Sequence, residues 1–152
     1  MKYKHIFDNK YLIRPILVSD DHLQFQNLLS QLQPTTFDLS TFQNFVSSLS
    51  SAHNIYIIED LSLNKIIASL TFILEHKLIH NSSYCLHIED VVVDSNYRGL
   101  GLGKQLLSFI IQSFSSSTYK IILNCSQKNV PFYLKSGFHL HSQQMAIYNN
   151  FK

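Results

Sequence analysis

Three places in this chain hold residues whose types and spacing suit chemistry. The first is Arg98-Gly99-Leu100-Gly101-Leu102-Gly103-Lys104, where three of the chain's four glycines sit at alternate positions. At ordinary abundance, about eleven glycines would be expected in 152 residues. Glycines so spaced let the backbone approach a ligand and turn its N–H groups inward. A helix starting directly afterwards adds the positive end of its dipole, and the two together make an anion cradle suited to phosphate. The second place is Glu89-Asp90, two adjacent carboxylates that interrupt an otherwise apolar run, more often the mark of a site than of a surface face. The third is Tyr133, a phenol four residues ahead of Gly137.

Two familiar phosphate loops do not fit. A P-loop needs GxxxxGK[ST], but Gln105 follows Lys104 and no glycine stands five residues before Gly103, so the magnesium-binding hydroxyl is missing. A dinucleotide fingerprint needs glycines at positions one, three and six, and here they fall at one, three and five. Metal chemistry finds no support either. His76 and His80 have i, i+4 spacing but end a β-branched stretch, and no third ligand follows at a known interval, so no metal is expected.

Composition narrows the classes further. Twelve basic and ten acidic residues give a formal charge of +2 with no long run of either sign, which excludes a general nucleic-acid face. The longest apolar stretch, Ile66 to Leu74, contains Ser69 and Thr71 and falls far short of the ~20 residues of a membrane span. Arg14 and Pro15 interrupt the N-terminal apolar run, against a secretory signal. Cys85 and Cys125 lie in strand-like stretches without a paired framework, which reads as buried thiols of a reduced, cytoplasmic compartment. The length suits a single domain over residues 1–152.

The elements that must position these groups follow from periodicity. Tyr11 to Pro15 reads as a short strand. Ser19-Asp20-Asp21 caps a helix that carries Leu23, Phe25, Leu28, Leu29 and Leu32 up to Pro34, and a second helix covers Thr41 to Leu49, with Phe42, Phe45, Val46 and Leu49 on one face. Strands over Asn54–Glu59 and Lys65–Glu75 form a hairpin. Leu86 to Val93 is a strand, Asp94-Ser95-Asn96 a turn, and Leu102 to Phe114 a helix with Leu106, Leu107, Ile110 and Ile111 inward. Tyr119 to Cys125 reads as a central strand and Val130 to Lys135 as a short helix ended by Gly137. A closing strand pair is predicted over Phe138–Leu140 and Gln143–Tyr148. The fold class is α/β, a mixed sheet flanked by helices.

The glycine loop resembles the acyl-CoA loop of the GNAT superfamily of N-acyltransferases, whose R/Q-x-x-G-x-G/A pattern is matched by Arg98 to Gly103. Asn129-Val-Pro-Phe132-Tyr133-Leu-Lys135-Ser-Gly137-Phe138 resembles the same superfamily's second half. The resemblance implies a GNAT-type, mostly antiparallel sheet and acetyl-CoA as co-substrate. It places the pyrophosphate on the amides of Arg98, Gly99, Leu100, Gly101, Leu102, Gly103 and Lys104, and pairs the pantetheine arm with Val91, Val92 and Val93. A backbone N–H near Val92 or Val93 would polarise the thioester carbonyl, Asn129 and Phe132 would border the coenzyme, and Tyr133 would protonate the departing thiolate.

Glu75-His-Lys77-Leu78-Ile79-His80 with Leu86-His-Ile-Glu89-Asp90-Val91 is similar to the glucosamine-6-phosphate N-acetyltransferases within that superfamily. The similarity implies transfer of acetyl to the sugar's amine by direct attack in a ternary complex, in UDP-N-acetylglucosamine synthesis. Glu89 and Asp90 would bind sugar and amine, and Lys77, Leu78, Ile79, His80, Tyr119 and Lys120 would surround the phosphate, in a homodimer whose acceptor site lies at the interface. Asn124 stands where the family has Asp, leaving its backbone carbonyl to orient the amine, and Tyr148 stands where the family has Arg. Acetylation of another amine, and a CoA-binding module without catalysis, are the alternatives.

Overall fold

In the computed structural model, residues 4–149 are described, and the ends of the expected 1–152 domain lie outside them. Six strands form one sheet in chain order: β1 (His5–Phe7), β2 (Tyr11–Pro15), β3 (His53–Asp60), β4 (Lys65–His76), β5 (Tyr84–Val93) and β6 (Thr118–Leu123). All neighbours are antiparallel except β5 and β6, which are parallel. That parallel step needs a crossover, supplied by α4 (Leu102–Phe114), whereas β4 and β5 are joined through the single short turn α3 (Ile79–Ser82).

The alternation of β4 and β5 sends apolar side chains to both faces, so both are covered. Ala68, Leu70, Phe72, Leu86 and Ile88 pack with Leu102, Leu106, Leu107 and Ile110 of α4. On the opposite face Ile55, Ile57, Ile66 and Val92 meet Phe25 and Leu28 of α1 (His22–Leu29) and Phe42 and Val46 of α2 (Leu39–Ser48). Asp21 caps α1 through the N–H groups of Leu23 and Gln24, and Asp38 caps α2 through that of Thr41.

The hairpin and the α4 crossover stand where the periodicity puts them, and five expectations change. Helix α1 stops at Leu29 rather than near Pro34. Its C-terminal N–H groups turn back in short bonds, Gln31 to Leu28 and Leu32 to Leu29. Leu32 is exposed there, so no burial holds another turn. Phe45 points outward from α2, its ring edge-on to His53. Strand β6 is an edge strand among the described residues, because residues 138–149 form no strand beside it. The expected closing pair is absent there: Leu140, Met145, Ile147 and Tyr148 are 80–94% exposed, and without an apolar face to cover, such a strand gains little. Cys125, expected to be buried, lies exposed just beyond the end of β6, while Cys85 is buried. Strand β1, too short to show periodicity, went unpredicted.

Candidate active site

Strand β5 carries the site. Across from β4, Thr71 pairs with Glu89 and Ser69 with Val92, so Asp90 and Val91 together oppose the single residue Leu70. This bulge is held by Asp90 in the left-handed region at φ 50°. On its other edge β5 pairs with β6 only as far as Ile88 opposite Leu123. From Glu89 to Val93 that edge is unpaired among the described residues, and backbone groups there are available to an extended ligand.

Beyond Val93 the chain turns through Asp94, whose carboxylate accepts from the N–H of Asn96, into a 3-10 turn, Ser95–Tyr97, and then the glycine loop. Arg98 Nε donates to the Val93 carbonyl at 3.1 Å, tying the loop to the strand end. Gly99 and Gly101 adopt φ 81° and 78°, a region costly for residues with a Cβ. Gly101 begins α4 and no side chain caps that end, so the amides of the first turn face outward uncapped. Leu102 sends its side chain into the core while its amide stays at the helix start, and Leu100 and Lys104 are exposed. Gly103 differs from its neighbours. It is helical, and a Cβ there would lie 3.3 Å from both Phe132 Cζ and Val93 Cγ2.

Tyr133 is held on α5 (Val130–Leu134) by a Schellman ending. Phe138 N–H donates to the Tyr133 carbonyl and Gly137 N–H to that of Leu134, with Gly137 at φ 90°. The Tyr133 and Phe138 rings meet edge-on at 6.0 Å, which supplies the apolar contact of that motif. Burial pushes the phenol above its ordinary value, and the neighbouring Cys125 and Glu89 side chains add to the effect. Glu89 is itself raised, by burial and then by Asp90, with His87 opposing. Tyr133, Asn124, Cys125, Lys120 and His87 line one open cleft of about 900 Å³ between β6, α5 and the segment after Gly137. Asn124 and Asn129 are exposed, and Asn129 makes no side-chain cap to α5.

The expected phosphate group gathers at the β4–β5 turn. His80 stacks on Tyr119 with centroids 4.2 Å apart, and Lys120 Nζ stands 5.6 Å from the same ring. Lys77 Nζ is bonded to Glu75 Oε1, which raises the lysine and lowers the carboxyl. His80, Asn81 and Ser82 are all left-handed, a strained turn that leaves Leu78 and Ile79 exposed, 91% and 66%. Glu75, His87 and the nearness of Cys125 to Tyr133 escaped the sequence reading. The i, i+2 alternation of Cys85, His87 and Glu89 along β5 was the available signal.

The acetyltransferase (GNAT) family model matches residues 19–138. Glucosamine 6-phosphate N-acetyltransferase 1 of Dictyostelium discoideum is 36% identical over 147 residues, covering 94% of each chain. The glucosamine 6-phosphate N-acetyltransferase of Arabidopsis thaliana is 38% identical over 143 residues, 91% of this chain and 96% of its own length. A crystal structure of the Arabidopsis enzyme superposes with a TM-score of 0.84, covering 91% of this chain and 97% of that one.

Proposed function

This chain belongs to the acetyltransferase (GNAT) family, and we propose that it moves the acetyl group of acetyl-CoA to the amine of glucosamine 6-phosphate, releasing N-acetylglucosamine 6-phosphate and CoA. The observation that carries the donor half is the unpaired stretch of β5 running straight into uncapped helix amides. The pantetheine arm lies along Val91–Val93 and the pyrophosphate on the amides from Arg98 to Lys104. The acceptor half rests on relatives that bear this activity in their names and match over nearly the whole chain.

In the reaction the neutral amine attacks the thioester carbon directly, the carbonyl oxygen takes up negative charge, and a backbone N–H near Val92 or Val93, just past the Asp90–Val91 bulge, stabilises it. The C–S bond then breaks, Tyr133 gives its phenolic proton to the departing sulfur, and the new amide nitrogen loses a proton to solvent, from which the Tyr133 phenolate is reprotonated. Because burial holds Tyr133 protonated, it enters each turnover as an acid. Glu89, Asp90 and the Asn124 carbonyl orient sugar and amine. Lys77, His80, Tyr119 and Lys120 hold the phosphate, with Leu78 and Ile79 beside it.

The working form is a homodimer with the acceptor site at its interface, in the cytoplasm, feeding UDP-N-acetylglucosamine synthesis. The bare apolar surface of Leu78, Ile79, Leu140, Met145, Ile147 and Tyr148 supports a covering partner. Among the described residues no helix is long and apolar enough to cross a membrane. An acceptor panel tests the reading: purified protein with acetyl-CoA should release free thiol with glucosamine 6-phosphate well above any amino acid, polyamine or peptide N-terminus. Release only with one of those would overturn it.

A further inference from the structure

On the face of β4 and β5 that carries Glu89, three different donor types converge. Glu75 and Cys85 are direct partners across the strand pair, and His87 lies two residues along β5 on the same side. A carboxylate oxygen, the thiol sulfur and an imidazole nitrogen all fall within 4.8 Å of one another. We propose that Glu75, Cys85 and His87 form a Zn²⁺ site, with a water as fourth ligand.

The distances favour it. Around tetrahedral Zn²⁺ with bonds of about 2.0–2.3 Å, neighbouring donors stand roughly 3.3–3.6 Å apart. Glu75 Oε2 and His87 Nε2 are 2.9 Å apart and hydrogen-bonded. Opening that pair by about half an ångström, and closing the sulfur by no more than about 1.3 Å, reaches the required geometry. Both Glu75 and His87 are partly exposed, which gives the ion a path, and Cys85 forms the floor.

Donor chemistry selects the ion. A sulfur, a nitrogen and a single carboxylate oxygen suit Zn²⁺ and neighbouring transition metals over Mg²⁺ or Ca²⁺. Thiolate and carboxylate together cancel the ion's charge, which matters because the Lys77 and Lys120 ammonium groups stand close by. Lys77 bonds Oε1 while Oε2 faces the site. The same carboxylate can therefore keep its lysine as an outer partner that fixes its orientation. Binding moves one proton from the Cys85 thiol to solvent and requires neutral His87. No step of acetyl transfer uses this ion.

Titrating the full-length protein with Co²⁺ alone tests the site. One equivalent should bind with a thiolate-to-cobalt charge-transfer band, and added Zn²⁺ should abolish the band. Cys125→Ser should keep it and Cys85→Ser should remove it. Because Cys85 is buried and its replacement can unfold the chain, His87→Gln serves as the second variant. With an unchanged circular dichroism spectrum it should weaken Co²⁺ binding roughly tenfold or more. Absence of the band, its loss with Cys125→Ser, or unaltered affinity in His87→Gln would each overturn the assignment.

Discussion

Gly103 faces Phe132 across the junction of the two motifs: a Cβ on the glycine would lie 3.3 Å from the ring's Cζ. The first turn of the loop helix therefore packs directly on the short helix that carries Tyr133. Gly103→Ala forces Phe132 and Val93 both to give by a few tenths of an ångström. Alanine's better helix propensity returns up to about 1 kcal/mol, so stability should change little. Small displacements of an aligned acid are costly to rate, and kcat should fall about tenfold. Thermal unfolding beside steady-state kinetics checks this, and an equal loss in both would mean the contact is only structural.

Removing the phenol isolates the acid. Tyr133→Phe should lower kcat by roughly 10²-fold, the low end for general acids, because a thiolate already departs readily. Acetyl-CoA affinity, measured calorimetrically, should stay within about twofold, since the pyrophosphate amides are untouched. The pH profile carries the sign. Tyr133 works protonated and burial raises it above its ordinary 10.0. The rate should therefore show no falling limb from this group until pH exceeds that value. A limb below it that disappears in Tyr133→Phe would contradict the acid role.

The loop's backbone can be tested without touching a functional group. At Gly101, φ is 78° and a Cβ would meet nothing within 4 Å, so Gly101→Ala adds conformational strain and no clash. A left-handed non-glycine residue costs about 1–2 kcal/mol, and relief comes by turning the uncapped amides away. The Kd for CoA should rise roughly 5–30-fold, with kcat at saturation largely retained. Unchanged affinity with lowered stability would make the loop a turn only.

These residues also show what the sequence makes legible. Local signals survive folding: the glycine spacing, the Gly137 ending and the Asp21 cap each depend on neighbours within a few positions. What depends on partners far along the chain does not. Nothing near Cys125 announces that β6 ends at Leu123 and leaves the thiol in the open. The alternation after Phe138 reads as strand, yet a strand forms only where an edge and an apolar face await it. The Asp90 bulge is likewise a property of two strands with unequal counts, invisible in either one.

Asp94 joins the β3–β4 turn to the start of the loop, accepting from Lys65 Nζ at 2.8 Å and the Asn96 N–H at 2.9 Å. Burial opposes its ionisation, but these bonds win and its pKa is lowered from 3.8. Asp60, bonded by Ser62, Lys10 and Tyr97, is lowered against burial in the same way. A carboxyl depressed in the folded state stabilises fully above its unfolded value and loses that contribution as pH falls through the folded one. Stability should thus hold from neutral pH to about 4 and drop steeply below it. In Asp94→Asn the neutral-pH stability should fall by about 1 kcal/mol, modest because Lys65 is partly exposed. Its acid slope should be shallower, since one fewer proton is taken up on unfolding. Urea titrations of both proteins between pH 2.5 and 7 measure the two curves, and parallel curves would show that the Asp94 pair contributes no linkage.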